Sequence, residues 1–238
     1  MSLKLASGSY DNTVRFWDPS TGSSNPSETI KLGSAPNRIE ITEDKSKIII
    51  GMNNCAKVYD LKRPEQQLRS YEGDFKGNVT AVGCFWKQEN LIYTGCEDGY
   101  LRLFDLRTRT AVKSFKHDKP INCTALHPNE GSIVTGDDVG MVKWWDLSNG
   151  REMMKIEVDN SVRSITMSST LERMAIADNE GLLSCYGEHM SKTNQKLIRA
   201  HEDYILKVQL SPNNKYLATC SADKKIRLFK TSMENGKF

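Results

Sequence analysis

The chain has 238 residues, of which 38% are hydrophobic and 26% are charged, the balance of a globular protein large enough to bury a core. Its formal charge of +3 arises from 33 basic and 30 acidic residues without a block of like charges, so no basic arm for nucleic acid or lipid is indicated. Apolar runs such as 47–52 have the length of a strand, and the first ten residues lack the apolar stretch of a signal peptide.

Six cysteines are spread through the chain without a C-x-x-C pair. This pattern favours reduced, buried thiols in a cytoplasmic protein over a disulfide framework or a metal site. We therefore expect no metal and no cofactor. The cysteines are Cys55, Cys84, Cys96, Cys123, Cys185 and Cys220.

Six segments of one shape follow one another along the chain, each ending in an aromatic residue and one further residue. They are TVRFWD (13–18), CAKVYD (55–60), YLRLFD (100–105), MVKWWD (141–146), LLSCYG (182–187) and KIRLFK (225–230). Successive aromatic residues of this set lie 41 to 45 residues apart. A period this regular over the whole chain indicates a repeat architecture.

Each period has the same internal order of an alternating apolar strand, a polar turn, a second strand, another turn and the aromatic strand. Apolar and polar residues alternate, with Gly, Asn and Asp at the turns, and no long stretch has helical spacing. The sequence therefore predicts an all-β protein in which each repeat supplies four antiparallel strands. Such units bury their faces only against one another, as in a β-propeller, so we expect one domain over 1–238 with repeats ending near 18, 60, 105, 146, 187 and 230.

The strand endings, with literal Trp-Asp pairs at 17–18 and 145–146, resemble the WD-repeat family. A closer resemblance is to the G-protein-β-subunit-like WD-repeat subunits of the TOR kinase complexes. It is carried in order by SYDNTVRFWDPSTG, NRIEIT, FKGNVTAV, RLFDLR, KHDKPIN, HPNEG and YLATCSAD.

This resemblance implies a non-catalytic scaffold or adaptor subunit, not an enzyme, that binds and stabilises the catalytic domain of the TOR kinase. The implied partners are the TOR kinase and its complex subunits, with no nucleic acid, no direct membrane insertion and no small-molecule substrate. The implied location is cytoplasmic, peripheral to endomembranes through the complex. The alternative is another WD-repeat adaptor, such as a ubiquitin-ligase substrate receptor or a chromatin-complex subunit.

The resemblance also implies a buried polar network in each repeat, made of a turn acid, a Ser or Thr four residues earlier, the aromatic residue and an opening His. A His with an Asp and a hydroxyl is compatible with a hydrolase, but no further catalytic motif accompanies it, so we interpret the set as structural. By position, Val139 stands where the fourth repeat needs its acid, and Asn53 and Glu180 stand there in the second and fifth. The network residues are Ser7, Asp11, Trp17, Thr94, Asp98, His117, Thr135, Trp145, His201, Thr219 and Asp223.

Partner contacts are expected where turns and strand openings meet on one face of a propeller. Exposed Tyr and Arg side chains are common at interface hot spots, and a solvated loop residue is the alternative at each position. The candidates are Tyr10, Arg38, Asn78, Glu97, Asp138, Asn179, Tyr204 and Lys207.

The two ends of the sequence do not complete a seven-repeat pattern. Residues 1–36 offer three strands, predicted at 3–6, 13–17 and 28–32, without an innermost one, and the C-terminal KTSMENGKF is too short for an outer and a returning strand. The pattern therefore lacks a seventh repeat and the closing strand. A fragment, a divergent six-bladed form and a chain completed by a strand from a partner or a second copy all remain open.

Overall fold

The computed structural model describes residues 5–168, 173–187 and 195–231. Within these residues the chain forms six antiparallel sheets and one 3-10 helix, Pro19–Thr21, and no α-helix. The all-β prediction with six repeats is confirmed. The chain divides into two compact units, 1–116 and 117–238, with three sheets in each. The single domain over 1–238 stays a prediction.

In the first unit the first sheet has the strand order β1-β2-β3, the second β4-β5-β6-β7 and the third β8-β9-β10-β11. The sequence predicts the first strand at 3–6, and the structure has strand β1 at Leu5–Ser9. Positions 3 and 4 lie outside the described residues. The strands are β1 (Leu5–Ser9), β2 (Thr13–Trp17), β3 (Glu28–Lys31), β4 (Arg38–Ile41), β5 (Lys47–Met52), β6 (Cys55–Asp60), β7 (Gln67–Glu72), β8 (Val79–Cys84), β9 (Leu91–Cys96), β10 (Tyr100–Asp105) and β11 (Ala111–Lys116).

The core of the first unit lies between successive sheets. Strand β5 shows why its sequence is continuously apolar: Ile48 and Ile50 pack toward the first sheet with Val14 and Phe16, whereas Ile49 packs toward the third sheet with Val79. Side chains alternate between the two faces of a strand, so a central strand between two sheets is buried on both.

In the second unit the fourth sheet has the order β12-β13-β14-β15, the fifth β16-β17-β18-β19 and the sixth β20-β21-β22. The strands are β12 (Ile121–Leu126), β13 (Ser132–Asp137), β14 (Met141–Asp146), β15 (Glu152–Glu157), β16 (Val162–Met167), β17 (Met174–Asp178), β18 (Leu182–Tyr186), β19 (Gln195–Arg199), β20 (Ile205–Leu210), β21 (Tyr216–Ser221) and β22 (Ile226–Lys230).

Sheets of the second unit are joined by apolar packing and by side-chain hydrogen bonds. Leu183 and Cys185 of the fifth sheet pack against Ile205 of the sixth. The backbone N–H of Val208 donates to Ser164 Oγ at 3.2 Å, so an amide of strand β20 finds its acceptor on strand β16.

The six cysteines are free thiols. Burial raises the pKa of the Cys185 thiol to about 12.

The turn that precedes the aromatic strand of each sheet contains one residue with a positive φ angle, directly before that strand in five sheets and one residue earlier in the sixth. Gly fills this left-handed position in three sheets and Asn in two, because both adopt it at low cost. The residues are Asn12 (φ 63), Asn54 (φ 56), Gly99 (φ 80), Gly140 (φ 94), Gly181 (φ 78) and Lys224 (φ 65). The turn chemistry thus repeats with the strands.

Candidate protein-binding surface

A line of hydrogen bonds crosses the fourth sheet. Trp145 Nε1 donates to Thr135 Oγ1 at 2.9 Å, His117 Nε2 lies 2.9 Å from the same oxygen, and His117 Nδ1 lies 3.1 Å from Asp137 Oδ2. A neutral imidazole protonated on Nδ1 satisfies the set, since it donates to Asp137 and accepts from Thr135. Burial lowers the pKa of His117 below its usual 6.5, although Asp137 acts in the opposite direction, and this favours the neutral form.

The sixth sheet carries the same arrangement with Phe229 in place of the tryptophan. His201 Nδ1 lies 2.9 Å from Asp223 Oδ2, and its Nε2 lies 2.7 Å from Thr219 Oγ1. Burial acts to raise the pKa of Asp223, but hydrogen bonds from His201 and from backbone amides lower it to about 2. The side chains of both network histidines are fully buried, and their hydrogen bonds tie turns to strands.

The first sheet keeps only part of the network. Trp17 Nε1 donates to Ser7 Oγ at 2.8 Å, as the tryptophan of the fourth sheet does to its threonine. Asp11 instead accepts from Thr13 Oγ1 at 2.6 Å and pairs with Arg15. Its carboxylate therefore supports its own turn.

The third sheet replaces the histidine network with aromatic and ionic contacts. Phe75 stands four residues before strand β8, as the network histidines stand before β12 and β20, and its ring centroid lies 5.7 Å from that of Phe104. Arg102 donates to both oxygens of Asp98 at 3.0 and 2.8 Å and lies over the Phe75 ring. Thr94 Oγ1 is buried and has no hydrogen-bond partner in the described part of the chain.

In the fourth and fifth sheets, the acidic residue that caps the turn does not stand at the position obtained by counting back from the end of the aromatic strand. Val139 and Glu180 do not fill its place, because Asp137 and Asp178, each two residues earlier, cap their turns from the end of the second strand. Asp137 Oδ1 accepts from the backbone N–H groups of Val139 and Met141, and Asp178 Oδ1 from those of Glu180 and Leu182. A carboxylate on either side of the hairpin can serve the same amides, so position alone does not identify it.

In the first unit, three of the four contact candidates make hydrogen bonds, and two of them, Asn78 and Glu97, bond to each other. Arg38 Nε donates to the carbonyl of Thr80 at 2.8 Å, which links strand β4 to strand β8. The backbone N–H of Asn78 donates to Glu97 Oε2 at 3.0 Å. Tyr10 lies in the β1–β2 turn with 95% of its surface exposed. The first unit therefore presents polar groups that are fixed by hydrogen bonds and, at Tyr10, an aromatic side chain that is accessible to a partner.

In the second unit, two of the four candidates are bridged by Arg163. Its Nε and Nη2 donate to Asn179 Oδ1 at 2.9 and 2.7 Å, and its Cζ lies 5.4 Å from the ring centroid of Tyr204. Asp138 is held separately, since its Oδ1 accepts from Ser161 Oγ at 3.0 Å. Lys207 is exposed on strand β20. We call Arg163, Asn179 and Tyr204 the Arg163 cluster.

Sequence reasoning named no strand opening in the fourth or fifth repeat, so it missed Arg163 and also Asn122, whose Nδ2 donates to Ser161 Oγ at 3.2 Å. Asn122 and Arg163 each occupy a β-bulge near the start of the innermost strand, the first between Ile121 and Cys123 and the second between Val162 and Ser164. A bulge turns a side chain away from the regular alternation. The available signal was a polar residue between two core residues in each of these strands.

Across 5–168, 173–187 and 195–231, no three His, Cys, Asp or Glu side chains are grouped so that they could hold a metal ion. Within the same ranges, no helix has the length and apolar character needed to cross a membrane.

Comparison with known proteins identifies the family. A profile described as Nucleolar protein 10-like, N-terminal domain matches residues 2–195, and one described as WD domain, G-beta repeat matches 192–230. The target of rapamycin complex subunit LST8 of Saccharomyces cerevisiae is 34% identical over 240 residues, which cover 96% of this chain and 77% of that protein. The chain belongs to the LST8 family.

Other relatives from the LST8 family match the chain to a similar extent. LST8 of Mus musculus is 34% identical over 242 residues, covering 96% of this chain and 72% of that protein. The subunit wat1 of Schizosaccharomyces pombe is 32% identical over 241 residues, covering 97% and 75%. A chain in the crystal structure of a mitotic checkpoint complex matches with a TM-score of 0.85 at 15% identity over 96% of this chain and 71% of that chain, a likeness of fold alone. The predicted WD-repeat β-propeller class is confirmed.

Proposed function

We propose that this LST8-family chain is a subunit of a target of rapamycin complex, where it binds the kinase and stabilises the active arrangement of its catalytic domain. The observation that carries the proposal is the identity of 34% with LST8 across 96% of the chain. The chain would act by protein binding alone, as a scaffold without a catalytic step. We further propose that it works in the cytoplasm and reaches endomembranes only through its complex.

The Arg163 cluster supports a binding surface in the second unit. Arg and Tyr are frequent hot-spot residues, and a guanidinium that is already held by Asn179 and Tyr204 loses little side-chain entropy when a partner binds. Tyr204 is 37% exposed, so its ring remains accessible while it contacts the guanidinium. We therefore expect the kinase to contact this cluster.

The test is capture of the kinase by the tagged chain. TOR kinase would be purified from cells depleted of their own LST8 and mixed with the full chain, and both retention and the half-life of kinase activity would be measured. The combined change Arg163→Glu and Tyr204→Ala removes two hot-spot side chains, so we expect affinity to fall by about thirtyfold.

The matched control is Arg151→Glu, an exposed arginine in the β14–β15 turn of the same unit. This substitution reverses an arginine charge at a turn outside the cluster, so we expect the variant to retain the kinase as well as the unaltered chain does. Failure of the unaltered chain to retain or protect the kinase would contradict the proposed function. Equal loss with the control would contradict only the assignment to the Arg163 cluster.

A further inference from the structure

Three arginines lie close together at the rim where the second and third sheets meet, and both of these sheets have four strands. Arg69 is on strand β7, and its Nε donates to the backbone carbonyl of Leu106, the first residue of the β10–β11 turn. Arg107 is the next residue of that turn, and Arg109 follows two positions later. All three arginines are exposed. We call Arg69, Arg107 and Arg109 the Arg69 cluster.

Two guanidinium groups of the Arg69 cluster are held in place by the protein itself. Arg69 Nη1 donates to the carbonyl of Leu68 at 3.0 Å, in addition to the bond from Nε to Leu106. Arg107 donates through Nε and Nη2 to the two carboxylate oxygens of Asp105, and its side chain is still 74% exposed. Side chains that are already ordered lose little conformational entropy when a ligand binds.

The positive charge of the cluster is only partly balanced. The hydrogen-bond acceptors of Arg69 are neutral carbonyls, so its charge is not neutralised by them. Asp105 pairs with Arg107, and within the described residues no ion pair involves Arg69 or Arg109. Because neighbouring guanidinium groups repel each other, an anion that contacts more than one of them lowers the electrostatic energy. The cluster therefore fits an anionic ligand.

Val112 presents an apolar side chain beside the cluster. The register between strands β10 and β11 shifts at Leu103 and Phe104, and Val112 is the residue of β11 that this shift leaves without a partner. It lies three residues after Arg109 and is 47% exposed. A ligand that combines carboxylates with an apolar side chain would remove this surface from water, whereas a simple anion would not.

The other turns at the same end of these two sheets favour a narrow peptide over a membrane surface. They carry the exposed carboxylates of Asp44 in the β4–β5 turn, Glu65 in the β6–β7 turn and Glu89 in the β8–β9 turn. An anionic membrane would approach all of these turns together and would be repelled by the carboxylates. An extended peptide can reach the arginines without approaching them.

We propose that the Arg69 cluster binds an acidic segment of a partner protein, whose carboxylates pair with Arg69 and Arg109 while an apolar side chain between them covers Val112. Arginine suits this role because its planar guanidinium can pair with a carboxylate through two hydrogen bonds. The proposal goes beyond the proposed function, since it concerns a second surface, in the first unit, and does not depend on the Arg163 cluster.

The probe is a fluorescein-labelled peptide with three aspartates and three glutamates around a central leucine and a glycine at each end. We expect it to bind the full chain with a Kd of about 10–100 µM in fluorescence anisotropy, and more weakly as salt is added. The same peptide with asparagine and glutamine in place of the acids should not bind, because it has no charge to pair with the arginines.

A second peptide, with glycine in place of the leucine, tests the apolar contact. It should bind the unaltered chain about threefold more weakly than the leucine peptide, because it leaves Val112 in water. The variant Val112→Ala should bind both peptides with nearly equal Kd, since the two changes remove the same contact.

The variant Arg109→Glu reverses a charge that no hydrogen bond or ion pair of the described residues uses, and we expect it to raise the Kd about fivefold. The combined variant Arg69→Gln and Arg109→Glu should raise it about twentyfold. The matched control is Arg151→Glu in the corresponding β14–β15 turn, where an exposed apolar residue, Met153, also follows the arginine. The control should leave the Kd unchanged, and circular dichroism would verify that all variants are folded.

Three results would overturn the proposal. The first is no binding of the acidic leucine peptide. The second is an equal rise in Kd for Arg109→Glu and the control Arg151→Glu, since binding would then follow net charge and not the Arg69 cluster. The third is binding of phosphatidylserine vesicles, but not of the peptide, that Arg109→Glu abolishes. No kinase is present in this assay, so its outcome is independent of the capture experiment.

Discussion

Thr135 and Thr94 occupy the same position in two sheets but have different surroundings. The Thr135 hydroxyl accepts from Trp145 Nε1 and lies within hydrogen-bond distance of His117 Nε2, whereas Thr94 Oγ1 has no partner within the described ranges. Both threonines are fully buried. The Thr135 hydroxyl therefore stabilises its sheet through hydrogen bonds, whereas the Thr94 hydroxyl only fills space in its sheet.

This contrast predicts opposite results for one substitution. Thr135→Val removes the acceptor of Trp145 and the hydroxyl that serves His117, so the free energy of unfolding should fall by about 2–4 kcal/mol. Thr94→Val removes a buried hydroxyl that no group uses, so stability should be unchanged or higher by about 0.5 kcal/mol. Urea unfolding of the two full-length variants measures the difference. Equal losses would show that the network bonds contribute nothing specific.

At the scale of the element, the packing of one sheet on the next depends on small residues in the second strand. A Cβ atom added to Gly136 would lie 2.5 Å from Val162 Cγ1 and 3.0 Å from Ile165 Cδ1, both on the innermost strand of the following sheet. Gly51 in the first unit faces Val79 in the same way. Close approach, not a positive φ angle, requires glycine at these two positions.

We therefore expect Gly136→Ala to separate strands β13 and β16 and to lower the free energy of unfolding by about 1–3 kcal/mol. The matched control is Gly33→Ala, since an added Cβ there meets no atom within 4 Å. Thermal and urea unfolding followed by circular dichroism would compare the two. A loss for the control as large as for Gly136→Ala would mean that glycine flexibility, and not sheet spacing, sets the effect.

Strand positions and site geometry were not equally accessible from the sequence. Alternation located the strands because burial on a pleated sheet has a period of two. Counting seven residues back from the last position gave Val139, whereas Asp137 caps the turn, because a carboxylate on either arm of a hairpin reaches the same amides. Arg163 was not among the strand openings named from the sequence, and the bulge that directs its side chain leaves the apolar pattern around it unchanged.

For the whole molecule, the segment between the two compact units resembles the segments that join sheets within them. Strand β11 ends at Lys116 and β12 begins at Ile121, so four residues connect them, and His117 among them is buried and hydrogen-bonded. Boundaries between independent domains usually fall in exposed, flexible linkers. This local structure favours the prediction of one domain over 1–238.

If the prediction of one domain is right, the chain unfolds in one cooperative transition, and destabilising either unit shifts that transition as a whole. Gly51→Ala in the first unit would bring a Cβ to 2.8 Å from Val79 Cγ1, and Gly136→Ala perturbs the second unit in the same way. Differential scanning calorimetry of both variants should show a single peak lowered by a similar amount. Two peaks, of which each variant lowers only its own, would instead establish two independently folding halves.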